Sequence, residues 1–151
     1  MKKFSLLLFT MLAGFVLFAQ SSKQVKWVFS SKKIADKTYE VHMTATINGN
    51  YHMYAQNAGV EGPLPTAFVF TKNPILLLDG KVKEIGKMVK KYESAWSGSV
   101  NYYEKSVNFI QTVKVRGTAK TNLAGKVEFM VCDDNLCLPP AEIPFSINIG
   151  G

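Results

Sequence analysis

The chain has 151 residues, 47% apolar and 19% charged, with a formal charge of +7 from 18 Lys+Arg against 11 Asp+Glu. That length makes one domain, at most with a targeting segment added, and the apolar share excludes disorder over most of it. Past the first twenty residues no apolar run reaches the ~18 residues of a membrane span. Two cysteines exclude a disulfide-dense miniprotein and a four-thiolate zinc site.

Residues 1–19 read as an address. Met1-Lys2-Lys3 is a short basic start, residues 4–18 are almost wholly apolar, and Ala19-Gln20-Ser21-Ser22 follows. This is the pattern of a secretory signal peptide, with cleavage expected after Ala19 and one domain over residues 20–151. No Cys follows the apolar stretch, so a lipid anchor is not expected. An uncleaved anchor is the alternative, for which the run is short. Cleavage leaves 132 residues and, without Lys2 and Lys3, a formal charge of +5. The surplus is scattered lysine, as in Lys32-Lys33 and Lys90-Lys91, and Arg116 is the single arginine. Nucleic acid is therefore not an expected partner, and the lysines read as a solvated face. Export would put both cysteines in an oxidising compartment, where a disulfide persists.

The remainder reads as strands, because apolar and polar residues alternate with period two. Val25-Lys26-Trp27-Val28-Phe29-Ser30 opens the series. In 38–47 the residues Tyr39, Val41, Met43, Ala45 and Ile47 share one face, and Asn48-Gly49-Asn50 signals a turn. Tyr51-His52-Met53-Tyr54 is extended again. Ala67-Phe68-Val69-Phe70 and Ile75-Leu76-Leu77-Leu78 are short strands, the latter punctuated by Asp79-Gly80. Residues 81–92 come nearest to a helix, although Gly86 argues against one. Residues 90–104 look like a loop carrying Tyr92, Trp96, Tyr102 and Tyr103, and aromatic loops often carry function. Strands follow over 107–115, with Val107, Phe109, Gln111, Val113 and Val115 on one face, then over 126–131 and 143–149. Seven to nine short strands without a helical stripe predict an all-β fold, an immunoglobulin-like antiparallel β-sandwich.

The cysteines lie in Val131-Cys132-Asp133-Asp134-Asn135-Leu136-Cys137-Leu138-Pro139-Pro140. Between two strands, 133–136 should be a hairpin loop. Residues opposed at such a neck sit about 4.5–5.5 Å apart between Cα atoms, within reach of a disulfide. Closing so short a loop stabilises by only about 2 kcal/mol, a small gain for a structural staple, so redox exchange and a plain staple both stand. Asp133 and Asp134 disfavour a thiolate at Cys132, yet leave the oxidised pair open to attack by a partner's thiolate. Pro139 and Pro140 remove two N–H donors and hold Leu138 extended.

This segment resembles the active-site hairpin of the N-terminal periplasmic domain of DsbD-type thiol–disulfide interchange proteins. Asn48-Gly49-Asn50-Tyr51-His52-Met53-Tyr54-Ala55-Gln56 is similar to that domain's early aromatic strand. Tyr92-Glu93-Ser94-Ala95-Trp96-Ser97-Gly98, followed by Val107-Asn108-Phe109, is similar to its cap loop and next strand. The likeness spans about residues 24–149. It implies an immunoglobulin-like fold and a reversible Cys132–Cys137 disulfide needing no cofactor. It also implies a periplasmic location, and electron passage from a membrane-embedded thiol transporter to thioredoxin-like proteins. Trp96, within Trp96-Ser97-Gly98, would cover the cysteines, with Gly98 letting the loop bend; Tyr51 and Tyr54 would lie near them. Family proteins continue into a transmembrane and a thioredoxin domain, which a relay through this chain is expected to find in other polypeptides.

Other constellations are weaker. His42-Met43 and His52-Met53 suit copper(I) by ligand type, but neighbours in a strand point to opposite faces, so core methionine and surface histidine are the plainer expectation. Asp133-Asp134-Asn135 lacks the rest of a calcium loop and reads as turn chemistry. No Ser/His/Asp spacing or glycine-rich phosphate loop supports a hydrolase or nucleotide site. Two functions remain: a thiol–disulfide oxidoreductase relay, and a non-catalytic β-sandwich binding module stapled by an inert disulfide.

Overall fold

Alternating side chains build two antiparallel sheets in the computed structural model, which describes residues 20–150 apart from Ala119. The expected leader, 1–19, lies outside the described residues. A five-residue helical turn, α1 (Gln20–Gln24), leads into β1 (Val25–Ala35) and β2 (Thr38–Ile47). Then come β3 (His52–Tyr54), β4 (Ala67–Phe70), β5 (Leu76–Glu93), β6 (Gly98–Val115), β7 (Thr121–Phe129), β8 (Val131–Cys132) and β9 (Ala141–Ile149). In β2 the inward face is the predicted one, with Val41, Met43, Ala45 and Ile47 buried.

The larger sheet is organised by β6. One edge of β6 pairs with β5 along nearly its whole length. Its other edge pairs with β2 through residues 106–114 and with β3 through 102–104. β1 extends the sheet beyond β2, and β8 extends it beyond β3. The smaller sheet has the order β4-β7-β9. Between the sheets Trp27 packs within 6.2 Å, centroid to centroid, of Phe29, Phe68, Phe109 and Phe129. Such an aromatic cluster supplies large apolar burial in a small domain. Ser31 also ties the sheets together by donating to the Asn148 carbonyl at 2.6 Å.

Two expectations are corrected here. Residues 90–104, expected as a loop, are the tip of the long β5–β6 hairpin, with only residues 94–97 leaving the ladder and Ser94–Trp96 of them forming a single 3₁₀ turn; 81–92 is strand. Asp79-Gly80 does not end a strand either. The ladder shifts register between Asp79 and Lys83, and buried Gln111 fills the irregularity, its amide donating to the carbonyls of Asp79 and Thr112 at 3.1 and 2.8 Å. A second shift follows Gly86, whose missing side chain leaves room for the Tyr103 ring. Because β5 is a sheet edge, its lysines (Lys81, Lys83, Lys87, Lys90, Lys91) also discourage edge-to-edge pairing.

Candidate functional site

The cysteines face each other across a one-bridge hairpin and form a disulfide, with Cα atoms 4.0 Å apart, somewhat closer than a generic hairpin neck. The loop between them is shaped by Asp133. Its carboxylate accepts the backbone N–H groups of Asn135 and Leu136, both at 2.8 Å. These bonds hold the Asp133 carboxyl below the usual carboxylate range. This is the turn chemistry expected for the segment. The Asp133 N–H closes the loop onto the Leu136 carbonyl.

The two cysteines differ in access. Cys132 is 2% exposed, whereas Cys137 is exposed together with Asp134, Asn135 and Leu136. Beyond them, Leu138 returns to the main core and donates its N–H to Val131, while the Pro139 carbonyl accepts the Ser21 hydroxyl. The sequence from Cys132 to Pro139 therefore anchors both ends of the loop and leaves one cysteine outside.

A second, smaller cluster lies on the outer face of the larger sheet. Tyr54, Ala58, Val100, Tyr102, Met130 and Cys132 are buried in it, with Trp96 and Val60 packed against them. Trp96 comes from the 3₁₀ turn at the hairpin tip, and its indole N–H donates to the Tyr54 hydroxyl at 3.0 Å. Burial pushes the Tyr54 phenol up despite that bond. A cleft of about 390 Å³ is lined by Tyr54, by Lys91, Tyr92, Glu93 and Trp96 of the hairpin tip, and by the cysteine hairpin.

The loop over residues 55–66 seats the indole, a role the sequence reading did not assign. Thr66 donates its hydroxyl to the Tyr54 carbonyl at 2.6 Å, and Ala55 and Ala58 bond to Asn101 through the backbone. A Cβ at Gly62, where φ is +127°, would stand 2.4 Å from the Trp96 ring. The Gly and Pro residues of 59–65 were the available signal. Gly98 serves differently from expectation. The left-handed residue at the bend is Ser97, with φ of 52°, while a Cβ at Gly98 would meet Val60 at 2.4 Å.

Tyr51 packs against the main core, and the rings of that segment beside the cysteines are Tyr54 and His52. His52 is 7% exposed and pairs directly with Cys132 across β3 and β8. It is not the surface histidine expected. Its ring lies 4.3 Å from Tyr102 and edge-on to Tyr54 at 5.4 Å, centroid to centroid. His42 sits elsewhere, bonded through Nδ1 to Asn108. His42 and His52 pair with Ile110 and Glu104 of one strand, about 20 Å apart along it, so they do not converge. Met43 and Met53 are both core residues.

The family model described as the N-terminal region of the thiol:disulfide interchange protein DsbD matches residues 19–147. The chain is similar in structure to the DsbD N-terminal domain of Neisseria meningitidis in the reduced form. That likeness has 16% identity and a TM-score of 0.58, over 87% of this chain and 90% of that one. It is also similar to the N-terminal periplasmic domain of ScsB from Proteus mirabilis, at 15% identity and a TM-score of 0.58, over 83% of this chain and 46% of that one. No curated protein matches the chain. The two packed antiparallel sheets are thus the expected immunoglobulin-like sandwich. A match over that length, together with a disulfide at the predicted hairpin, makes this chain a member of the DsbD N-terminal domain family of thiol–disulfide interchange domains.

Proposed function

We propose that the chain is an exported, periplasmic electron-relay domain, its leader cut after Ala19, that works through reversible opening of the Cys132–Cys137 disulfide. A partner's thiolate attacks the sulfur of Cys137, the exposed cysteine. The Cys132–Cys137 bond breaks, and its electron pair leaves on Cys132 as a thiolate. A second partner thiol then attacks the partner's own sulfur in the mixed disulfide and frees Cys137. The domain is now reduced by two electrons and the donor is oxidised. The same steps in reverse reduce an acceptor. By family, the donor is a membrane-embedded thiol transporter and the acceptors are thioredoxin-like proteins. Among the described residues no helix is long and apolar enough to cross a membrane, so the donor would be a separate domain or chain.

The observation that carries this reading is the asymmetry of the pair: one cysteine buried and one exposed at the mouth of a cleft. A staple gains nothing from exposure, whereas exchange needs access to one sulfur. Trp96, latched to Tyr54, would shield the buried partner until docking displaces it. Equilibration of the purified domain in graded glutathione buffers, read by thiol alkylation, tests the reading. A midpoint inside the range of those buffers is expected. A pair that stays oxidised in strongly reducing glutathione, with a potential below about −300 mV, is a structural disulfide and leaves a stapled binding module.

A further inference from the structure

We propose that His52 is the proton acceptor for Cys132, the buried cysteine, when the disulfide re-forms. The inference rests on the reading of Cys132–Cys137 as an exchanging pair and adds a residue to it. In the donating direction Cys137 ends in a mixed disulfide with the acceptor. Cys132 must then attack the Cys137 sulfur, and only its thiolate does so effectively. Cys137 can lose a proton to solvent. Cys132, at 2% exposure, is far less open to solvent and is better served by a base within the protein.

His52 is placed for that role. Residues directly opposed in an antiparallel pair project on the same face, with Cβ atoms about 4.5–5.5 Å apart, and His52 is opposed to Cys132. The ring is held between Tyr54 and Tyr102. Its Nε2 is buried and makes no hydrogen bond with any described residue, a costly arrangement unless the atom has a task. The step balances: Cys132 gives its proton to the imidazole and bonds to the Cys137 sulfur, the acceptor leaves as a thiolate, and the imidazolium later returns the proton to solvent.

The surroundings favour a neutral, accepting imidazole. Burial lowers the His52 pKa against the opposing pull of Glu93 from β5, Glu104 from β6 and Asp134 from the cysteine loop, and Lys91 of β5 lowers it further. The neighbouring phenols are no rivals, since burial pushes Tyr54 and Tyr102 up and keeps them protonated. The Asp133 carboxylate already accepts two backbone N–H groups.

The aromatic disulfide dithiobis(nitrobenzoate) separates the two steps on the full domain. After reduction by a phosphine, attack by Cys137 releases one thionitrobenzoate, and attack by Cys132 on the mixed disulfide releases the second. In His52→Gln the second phase is expected to slow about tenfold or more near pH 7, with the first phase within about twofold of the parent. The deficit should shrink as pH rises past the ordinary thiol value of about 8.5, where hydroxide takes over from the imidazole as the base. An unchanged second phase, equal slowing of both phases, or a deficit undiminished at high pH overturns the proposal. The parent alone gives a check that needs no variant. Its second phase must rise with pH through an inflection below about 6.5, the ordinary imidazole value, and a rise only through the thiol range refutes the role. Because phosphine and probe are both supplied, these rates are readable even where the glutathione titration fails, so the two readings fail separately.

Discussion

The Trp96–Tyr54 bond makes the proposed cap testable. Tyr54 is fully buried and its hydroxyl accepts the indole N–H at 3.0 Å, so Tyr54→Phe removes one latch and little else. A net hydrogen bond contributes about 1 kcal/mol, which is about fivefold in the ratio of closed to open cap at about 1.4 kcal/mol per tenfold. Trp96→Ala goes further. Covering at least ~100 Å² of ring adds about 2.5 kcal/mol, so on this proposal the alanine variant removes the cap and sets the ceiling. Cys132, in the same cluster as Trp96, is the thiol to watch. In a Cys137→Ala background it is the single thiol, and its iodoacetamide labelling reports the open fraction. Tyr54→Phe should raise the rate about fivefold, and Trp96→Ala should raise it more. Equal rates in all three proteins would show that Trp96 does not cover Cys132. A fast Trp96→Ala beside an unchanged Tyr54→Phe would refute the hydrogen bond as the latch.

Gly62→Ala puts a side chain into the indole at a left-handed backbone position. A loss of about 1–3 kcal/mol is expected, read as a lower urea midpoint together with altered Trp96 emission, and an unchanged emission spectrum counts against the seat. Asp133 has a folded pKa below its ordinary value. Its contribution is therefore present above about pH 4 and lost as pH falls through the folded value. Wild type should exceed Asp133→Asn in stability at neutral pH, and an advantage that persists in strong acid refutes the account. Tyr103 has the opposite sign. Burial, then the Glu84 carboxylate that accepts its hydroxyl at 3.0 Å, push its pKa up to about 12. Its stabilisation holds below about pH 10 and is lost as pH rises towards the folded value. Tyr103→Phe should flatten alkaline denaturation in that window, and an unchanged profile speaks against the assignment.

Strands whose two faces differ were legible from the sequence. β2 and β4 match the expected 38–47 and 67–70 because alternation tracks burial where one face meets the core. β5 failed for the same reason. It lies at the edge, exposed over most of its length, so its residues carry no clean alternation, and lysines replace it. The extent of the β5–β6 hairpin also rests on the two register shifts, which break the period just where a reader would follow it.

At the site, the cysteine hairpin and the Asp133 turn could be read from spacing, because both are local. The neighbours of the cysteines could not, since β3 reaches β8 across nearly eighty residues. Period two could still have found His52. Tyr51 and Tyr54 are three positions apart and fall on opposite faces of an extended chain, whereas His52 and Tyr54 share one. Placing Tyr54 beside the cysteines therefore commits His52 to the same face and sends Tyr51 to the core, as observed. The same register gives the pair its asymmetry. Cys132 still belongs to the β3–β8 ladder and is buried with it, whereas Cys137 lies beyond the last ladder residue and is exposed, the asymmetry on which the proposed exchange rests.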